Sequence, residues 1–114
     1  MLAKKFKLTG AKNFARVQKW GNVYQSANFG IARYSRGDPE PSKFAFIVST
    51  KIAKDAVDRN RFKRAMSEAV RLTSIDLKPG FDVVFLAKMS VVRVPTSEVM
   101  KEVRVALKES GLLK

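Results

Sequence analysis

Residues 44–71, FAFIVSTKIAKDAVDRNRFKRAMSEAVR, contain two hydrophobic periods in succession. Between Phe44 and Ser49 the side chains alternate between two faces, which predicts a buried β-strand. From about Asp58 to Thr73 apolar residues recur at helical spacing, which predicts a helix. Another strand-like run, FDVVFLA at 81–87, follows after the turn-forming KPG, so the helix lies between two strands.

The predicted helix has one apolar face and one cationic face. At 100° per residue a single arc, which we expect to face the sheet, contains Phe62, Ala65, Met66, Ala69, Val70 and Leu72. A polar stripe lies elsewhere on the helix at positions i, i+4, i+7 and i+11, and it consists of Asn60, Arg64, Ser67 and Arg71. Lys63 lies beside this stripe, and Arg59 and Arg61 border the apolar arc.

Positive charge dominates the first part of the chain. The 114 residues include 23 Lys and Arg against 10 Asp and Glu, giving a net charge of +13 and a pI near 10.4. Eight of these cations precede the first acidic residue, Asp38. A pI above about 9 is typical of nucleic-acid-binding domains, because a polyanion relieves the self-repulsion of the protein. A basic protein without a polyanionic partner is the alternative.

The cations near the start of the basic helix favour an anionic partner. If the helix begins near Asp58, residues 59–63 near its start contain three cations, and each opposes the helix dipole by about 0.3–1 kcal/mol. A bound phosphate would reverse the sign of this effect. The alternative is a charged face that is simply exposed to solvent, which is the commoner situation for a run of charged residues.

The remaining segments predict a mixed α+β fold in one domain, residues 1–114. A first helix is expected over 9–20, capped by Thr9 and ended by Gly21. A strand is expected at 28–35, followed by a proline-containing turn. A last helix is capped by Thr96 and has a core stripe of Val99, Met100, Val103, Ala106 and Leu107.

The composition disfavours several classes of protein. The chain has no Cys and no His, and its carboxylates are scattered, so we expect no catalytic protein residue, no metal site and no stand-alone nuclease. It has neither a signal-peptide pattern nor an apolar run of transmembrane length, so we expect no membrane partner. The absence of Cys fits a cytoplasmic protein.

The chain resembles the protein subunit of bacterial ribonuclease P. The resemblance is carried by Val48, Ser49 and Lys51, and then by Arg59, Asn60, Arg61, Lys63, Arg64, Glu68 and Ala69 on the basic helix. NFARVQKWG resembles the first helix of the family, and VPTSEVMKEVRVALKESGLL resembles its last helix. The implied fold is a central mixed β-sheet with three helices, in which the basic helix forms a left-handed βαβ crossover (ribosomal protein S5 domain 2-like).

The resemblance also implies a function. The family protein binds a large catalytic RNA, the ribonuclease P RNA subunit, with one protein per RNA. Together they remove the 5′ leader of precursor tRNA by hydrolysis in the cytoplasm. The RNA performs the chemistry with Mg²⁺, and the protein alone binds no cofactor.

Two groups of site residues follow from the resemblance. The residues expected to contact the catalytic RNA are Lys51, Lys54, Arg59, Asn60, Arg61, Lys63, Arg64 and Arg71. The residues expected in a leader-binding cleft between the first helix and the sheet are Phe14, Val17, Phe29, Tyr34 and Ser49. Asn60 as a helix-start brace, and Phe14 and Phe29 as ordinary core residues, are the alternatives.

Other RNA- and DNA-binding proteins share the charge and size of this chain. The main alternative is a ribosomal or other structural RNA-binding protein with no role in tRNA processing, but the pairing of Val-Ser-x-Lys with Arg-Asn-Arg favours ribonuclease P. A helix-turn-helix DNA-binding module is disfavoured because the basic helix lies between strands.

Overall fold

Four strands and three α-helices form the fold in this computed structural model, which describes residues 3–114. The helices are α1 (Ala11–Trp20), α2 (Ala56–Leu72) and α3 (Thr96–Glu109). The strands are β1 (Asn22–Gln25), β2 (Phe29–Ser35), β3 (Lys43–Ile47) and β4 (Phe81–Ala87). The predicted single domain begins at residue 1, and residues 1 and 2 lie outside the described part.

The strands form one mixed sheet in the order β1-β2-β4-β3. The β1–β2 and β2–β4 pairs are antiparallel, whereas β3 and β4 are parallel and are connected through α2. This arrangement confirms the predicted α+β class and the strand–helix–strand setting of the basic helix. The left-handed sense of the crossover stays a prediction.

The sheet separates two apolar layers. The larger core lies between the sheet and the pair α2 and α3, and includes Phe29, Phe44 and Phe85. The smaller core lies between the sheet and α1, and its buried members are Leu8, Val17, Ala32 and Val84. Both sides of the central strands are therefore buried, and alternate residues of β2 and β4 belong to different cores.

Several predicted boundaries are wrong. α1 begins at Ala11 after Gly10, and α3 begins at Thr96 itself, so neither Thr9 nor Thr96 caps a helix through its side chain. α2 begins at Ala56, two residues earlier than predicted. Leu72, which the sequence places in the apolar arc, is the last residue of α2 and is 55% exposed.

β3 lies at the edge of the sheet, which corrects the prediction of a fully buried strand. Only Phe44 is buried along it, and Ile47 is 40% exposed. The outer edge of β3 is partly covered by the N-terminal segment, since the Leu8 N–H donates to the Phe44 carbonyl at 2.9 Å. Lys7 and Phe44 form an isolated parallel bridge at the same place.

The turn before β4 depends on Gly80. Its N–H donates to the Glu40 carbonyl, and its carbonyl accepts the Arg36 N–H. Gly80 has φ +89°, and a Cβ atom there would lie 2.6 Å from the Asp38 carbonyl oxygen. The backbones of the two loops therefore approach too closely for a side chain at this position.

We predict that Gly80→Ala lowers the free energy of unfolding by more than the matched change Gly37→Ala. Gly37 has φ +74°, but a Cβ atom added there would meet no atom beyond its chain neighbours within 4 Å, so Gly37→Ala should cost only about 1–2 kcal/mol of backbone strain. Chemical denaturation of both variants measures the difference. Equal losses would show that the close contact with Asp38 carries no cost.

Candidate nucleic-acid interface

The polar stripe of α2 faces away from both cores. The buried face of the helix consists of Phe62, Ala65, Met66, Ala69 and Val70. Asn60, Arg64 and Arg71 are exposed and Ser67 is half-buried. Packing of the apolar arc against the sheet and α3 therefore leaves the predicted stripe open on one side of the helix, where an extended anion can reach it.

Arg59 holds the loop that precedes α2 through hydrogen bonds. Its Nη1 donates to the carbonyls of Ala53 and Lys54, at 2.9 and 2.6 Å. Arg61 lies over the ring of Phe62, with Cζ 4.8 Å from the centroid, and is 3.6 Å from Asp58. Both guanidinium groups stay near the start of the helix, but Arg59 has a structural role that the sequence did not predict.

The other five cations of the predicted interface differ in their surroundings. Lys51 and Lys54 are exposed in the loop before α2. Lys63 and Arg64 form no ion pair with another described residue, so their charges are available to a phosphate. Arg71 hydrogen-bonds Glu68, one turn earlier on the helix.

The Arg71–Glu68 pair moderates the charge at the far end of the stripe. The hydrogen bond from Arg71 lowers the pKa of Glu68 from 4.5 to about 2. The contribution of this pair to stability is therefore fully present above about pH 4.5, and is lost as the pH falls towards 2. At neutral pH Arg71 is already partly neutralised by a carboxylate.

The earlier start of α2 weakens the argument from the helix dipole. The first turn contains Asp58 as its acidic residue, and Arg59 is the fourth residue of the helix instead of the second. Arg61 and Lys63 lie in later turns, where the dipole has little effect. The expected clustering of three cations at the very start of the helix is therefore wrong, and the accessible charge of the stripe remains as the reason to expect an anion.

A groove runs along one side of the stripe, between α2, the edge strand β3 and the N-terminal segment. We call it the edge groove. It has a volume of about 530 Å³ and is lined by Lys7, Leu8, Thr9, Phe44, Phe46, Asn60, Lys63, Arg64 and Ser67. The contributions of Lys7 and Phe46 were not predicted from the sequence, since they depend on the N-terminal segment pairing with β3.

The predicted leader cleft is partly assembled on the other face of the sheet. Phe14 and Tyr34 are half-buried and pack against the smaller core, to which the buried Val17 also belongs. The Arg16 guanidinium lies over the Tyr34 ring, with Cζ 5.8 Å from the centroid. We define the α1 cleft by Phe14, Arg16, Val17 and Tyr34. Two accessible aromatic groups beside a cation are typical of single-stranded nucleic-acid sites.

The structure does not bring Phe29 and Ser49 into this cleft. Phe29 is fully buried in the larger core, because its position in β2 points it to the opposite side of the sheet from Ala32 and Tyr34. Ser49 is exposed beyond the end of β3, whereas α1 packs on β2 and β4. Val17 is only 2% exposed, so it can support the cleft floor but offers little surface.

A buried carboxylate organises the arginines beside the α1 cleft. Asp82 is 1% exposed, and its Oδ1 accepts a 2.5 Å hydrogen bond from Arg36. Arg36 also bonds both oxygens of Asp38 and holds the pKa of that carboxyl below its usual value. The second oxygen of Asp82 accepts no hydrogen bond from the described residues and lies 3.8 Å from Arg16.

Residues 3–114 offer neither a metal-binding cluster nor a membrane-spanning helix. No group of three or more Asp, Glu, His or Cys side chains is placed to bind a metal ion in this range. None of the helices described is both long enough and apolar enough to cross a bilayer.

We predict that Arg36→Met lowers the free energy of unfolding by about 3–5 kcal/mol, because it leaves the Asp82 charge buried without its main partner. Adding Asp82→Asn should recover part of the loss by removing that charge. Arg33→Met is the control, since Arg33 forms no ion pair with another described residue, and it should change stability by less than about 0.5 kcal/mol. Urea denaturation measures all three, and an equal effect of Arg36→Met and Arg33→Met would contradict this role.

The comparisons with known proteins agree over nearly the whole chain. The family model of Ribonuclease P matches residues 2–111. The ribonuclease P protein component of Dehalococcoides mccartyi is 33% identical over 94% of this chain and 86% of its own length. The corresponding protein of Cyanothece sp. is 27% identical over 99% of this chain and 98% of its own length.

Solved structures share the fold. The RNase P protein of Staphylococcus aureus superposes with a TM-score of 0.88 at 20% identity, covering 97% of this chain and all of that one. The RNase P protein of Thermotoga maritima gives a TM-score of 0.80 at 24% identity, covering 90% and 96%. The match to the family model, together with a relative one-third identical over most of the sequence, shows that the chain belongs to the ribonuclease P protein family.

Proposed function

We propose that this chain binds the RNA subunit of ribonuclease P and the 5′ leader of precursor tRNA, and thereby assists removal of the leader. Its membership of the family is the observation that carries this proposal. The accessible cations of α2 and the net charge of +13 support it independently. The alternative of a structural RNA-binding protein without a role in tRNA processing is not favoured by the relatives.

The α2 surface is the proposed contact with the RNA subunit. Arg64 and Lys63 provide charges without acidic partners among the described residues, and Asn60 adds an exposed amide. Arg61, Arg71, Lys51 and Lys54 extend the positive surface along the helix and its preceding loop. Arg59 contributes chiefly by holding that loop, through its bonds to the carbonyls of residues 53 and 54.

The α1 cleft is the proposed contact with the leader. Phe14 and Tyr34 provide stacking surfaces for unpaired bases, and Arg16 provides a cation beside them. Val17 supports these groups from below. Phe29 is not part of the proposal because it is buried in the other core, and Ser49 lies at its periphery.

The catalytic step is assigned to the RNA subunit. The chain has no His that could serve as a general base, and the most deeply buried carboxylate described, Asp82, is engaged by arginines. We propose that the RNA holds the Mg²⁺ that supplies Lewis-acid chemistry for hydrolysis, with one protein per RNA in the cytoplasm. The role of the protein is to bind and position RNA.

Reconstitution tests this function. The purified protein is mixed with a bacterial ribonuclease P RNA and a precursor tRNA at low Mg²⁺ concentration. We expect cleavage at the mature 5′ end only when both protein and RNA subunit are present. If the protein binds structured RNA but does not support cleavage, a structural RNA-binding role replaces this proposal.

We predict that replacing Lys63 and Arg64 together by Ala weakens binding to the RNA subunit by about ten- to a hundredfold, because two charge-assisted contacts are lost. The log–log dependence of affinity on salt should become shallower by about 2. Replacing Arg104 and Lys108 of α3 removes the same charge from another exposed surface. Filter binding at several salt concentrations measures both variants, and an equal effect would assign the binding to net charge alone.

We predict that Phe14→Leu reduces the preference for precursor over mature tRNA by about fivefold or more, since one stacking surface is lost while apolar volume is kept. Tyr24→Leu is the control, because Tyr24 is a half-buried aromatic residue that packs against the larger core on the opposite side of the sheet. Affinities of the holoenzyme for both tRNAs measure the preference. An unchanged preference in a folded Phe14→Leu variant would place the leader elsewhere.

A further inference from the structure

The edge groove has the charge of an anion-binding site. Lys7, Lys63 and Arg64 line it, and no acidic side chain is among its lining residues. The three cations come from two separate segments, the N-terminal segment and α2, and they converge on the same space. An anion in this groove would therefore be contacted from both walls.

The floor of the groove is aromatic and fixed in place. Phe46 is half-buried and lines the groove, while its ring is supported by Phe85 at a centroid distance of 5.2 Å. Phe44 lies beside it but is 2% exposed, so only Phe46 offers a substantial ring surface. A supported aromatic ring that is open on one side is a stacking platform for a planar group.

The size and walls of the groove exclude a simple phosphate as its full occupant. About 530 Å³ lies within the range of sites that enclose a small organic molecule. The N-terminal wall is preformed, because residues 7 and 8 pair with Phe44. On the other wall Asn60, Lys63, Arg64 and Ser67 lie at positions i, i+3, i+4 and i+7 of α2, which is one face of the helix.

We propose that the edge groove binds a single unpaired nucleotide of the RNA subunit. Its base lies against Phe46, and its phosphate lies among Lys7, Lys63 and Arg64. The inference rests on the proposed function, since it takes the RNA subunit as the partner of α2. The groove adjoins the polar stripe, whereas the proposed leader site lies on the opposite face of the sheet, so the nucleotide belongs to the RNA subunit rather than to the leader.

This site adds a type of contact that a row of cations cannot provide. Lysine and arginine contacts to phosphates depend on charge and recognise no base. A base held against Phe46 must be unstacked from its neighbours, so the groove selects a place in the RNA where a nucleotide is unpaired. Binding would then depend on the folded shape of the RNA as well as on its charge.

The inference is tested with a substitution that fills the groove and leaves the net charge of the protein unchanged. Ser67→Phe places a ring in the space, and Ser97→Phe is the control on the exposed start of α3. Affinity for a ribonuclease P RNA is measured at several salt concentrations. The RNA is also probed with dimethyl sulfate while each protein is at saturation, which reports whether the base edges of adenine and cytosine are accessible. A second base-modifying reagent reports the same for guanine and uracil.

We expect Ser67→Phe to weaken binding about tenfold with an unchanged salt dependence, because a stacked base is lost and no phosphate contact is removed. One unpaired base protected by the parent protein should become reactive in that complex. Ser97→Phe should retain both affinity and protection. Circular dichroism and chemical denaturation check that each variant is folded.

A second pair of variants tests the N-terminal wall of the groove, which contributes Lys7. Lys7→Ala should reduce the salt dependence by about 1 and weaken protection of the same base. Lys4→Ala removes an equal charge nearby but outside the groove, and should retain the protection. These two changes avoid α2, so their effect does not depend on tolerance of that helix to a large residue.

Several outcomes would overturn the inference. A folded Ser67→Phe variant with parental affinity and parental base protection would show that no nucleotide occupies the groove, while leaving the proposed function intact. The same result, together with loss of binding to an acidic peptide probe such as oligoglutamate, would assign the groove to a protein partner. Failure of the parent protein to bind the RNA at all would overturn the proposed function as well.

Discussion

The parallel pairing of β3 with β4 determines where α2 and both proposed RNA-binding surfaces lie. Parallel neighbours cannot be joined by a tight turn, so the intervening chain must cross the sheet, and here it forms α2. Phe85 of β4 anchors this arrangement, since its ring contacts Phe29, Phe44 and Phe46 on the two neighbouring strands. Burial of one face of α2 over these strands leaves its charged stripe facing solvent.

Successive side chains of β4 point to opposite faces of the sheet and therefore enter two different environments. Val83 and Phe85 belong to the larger core, while Val84 belongs to the smaller core beside α1. Asp82 also lies at the α1 side and is buried, which is costly for a carboxylate unless cations and hydrogen bonds compensate. Arg36 and Arg16 provide that compensation. One buried negative charge thus holds Arg36 by a hydrogen bond and attracts the half-exposed Arg16 at the margin of a surface that is otherwise strongly positive.

The two faces of the sheet give the proposed function a simple geometry. The α2 stripe and the edge groove lie on one side, and the α1 cleft lies on the other. Contacts with the RNA subunit and with the leader would therefore use different surfaces, so binding one partner need not displace the other. The sheet between them is the rigid element that would set the distance from the RNA subunit to the leader.

The α+β class, the basic helix between two strands and the residues of the polar stripe could be predicted from the sequence, because they follow from local periodicity and from a specific motif. The existence of β1, the burial of Phe29 in the core and the shared groove of Lys7 and Phe46 became clear only from the folded chain. β1 is short and mostly exposed, and the loop after it is held by Glu102, which accepts hydrogen bonds from Ser26 and Asn28. Such features depend on contacts between residues far apart in the chain, which local periodicity does not encode.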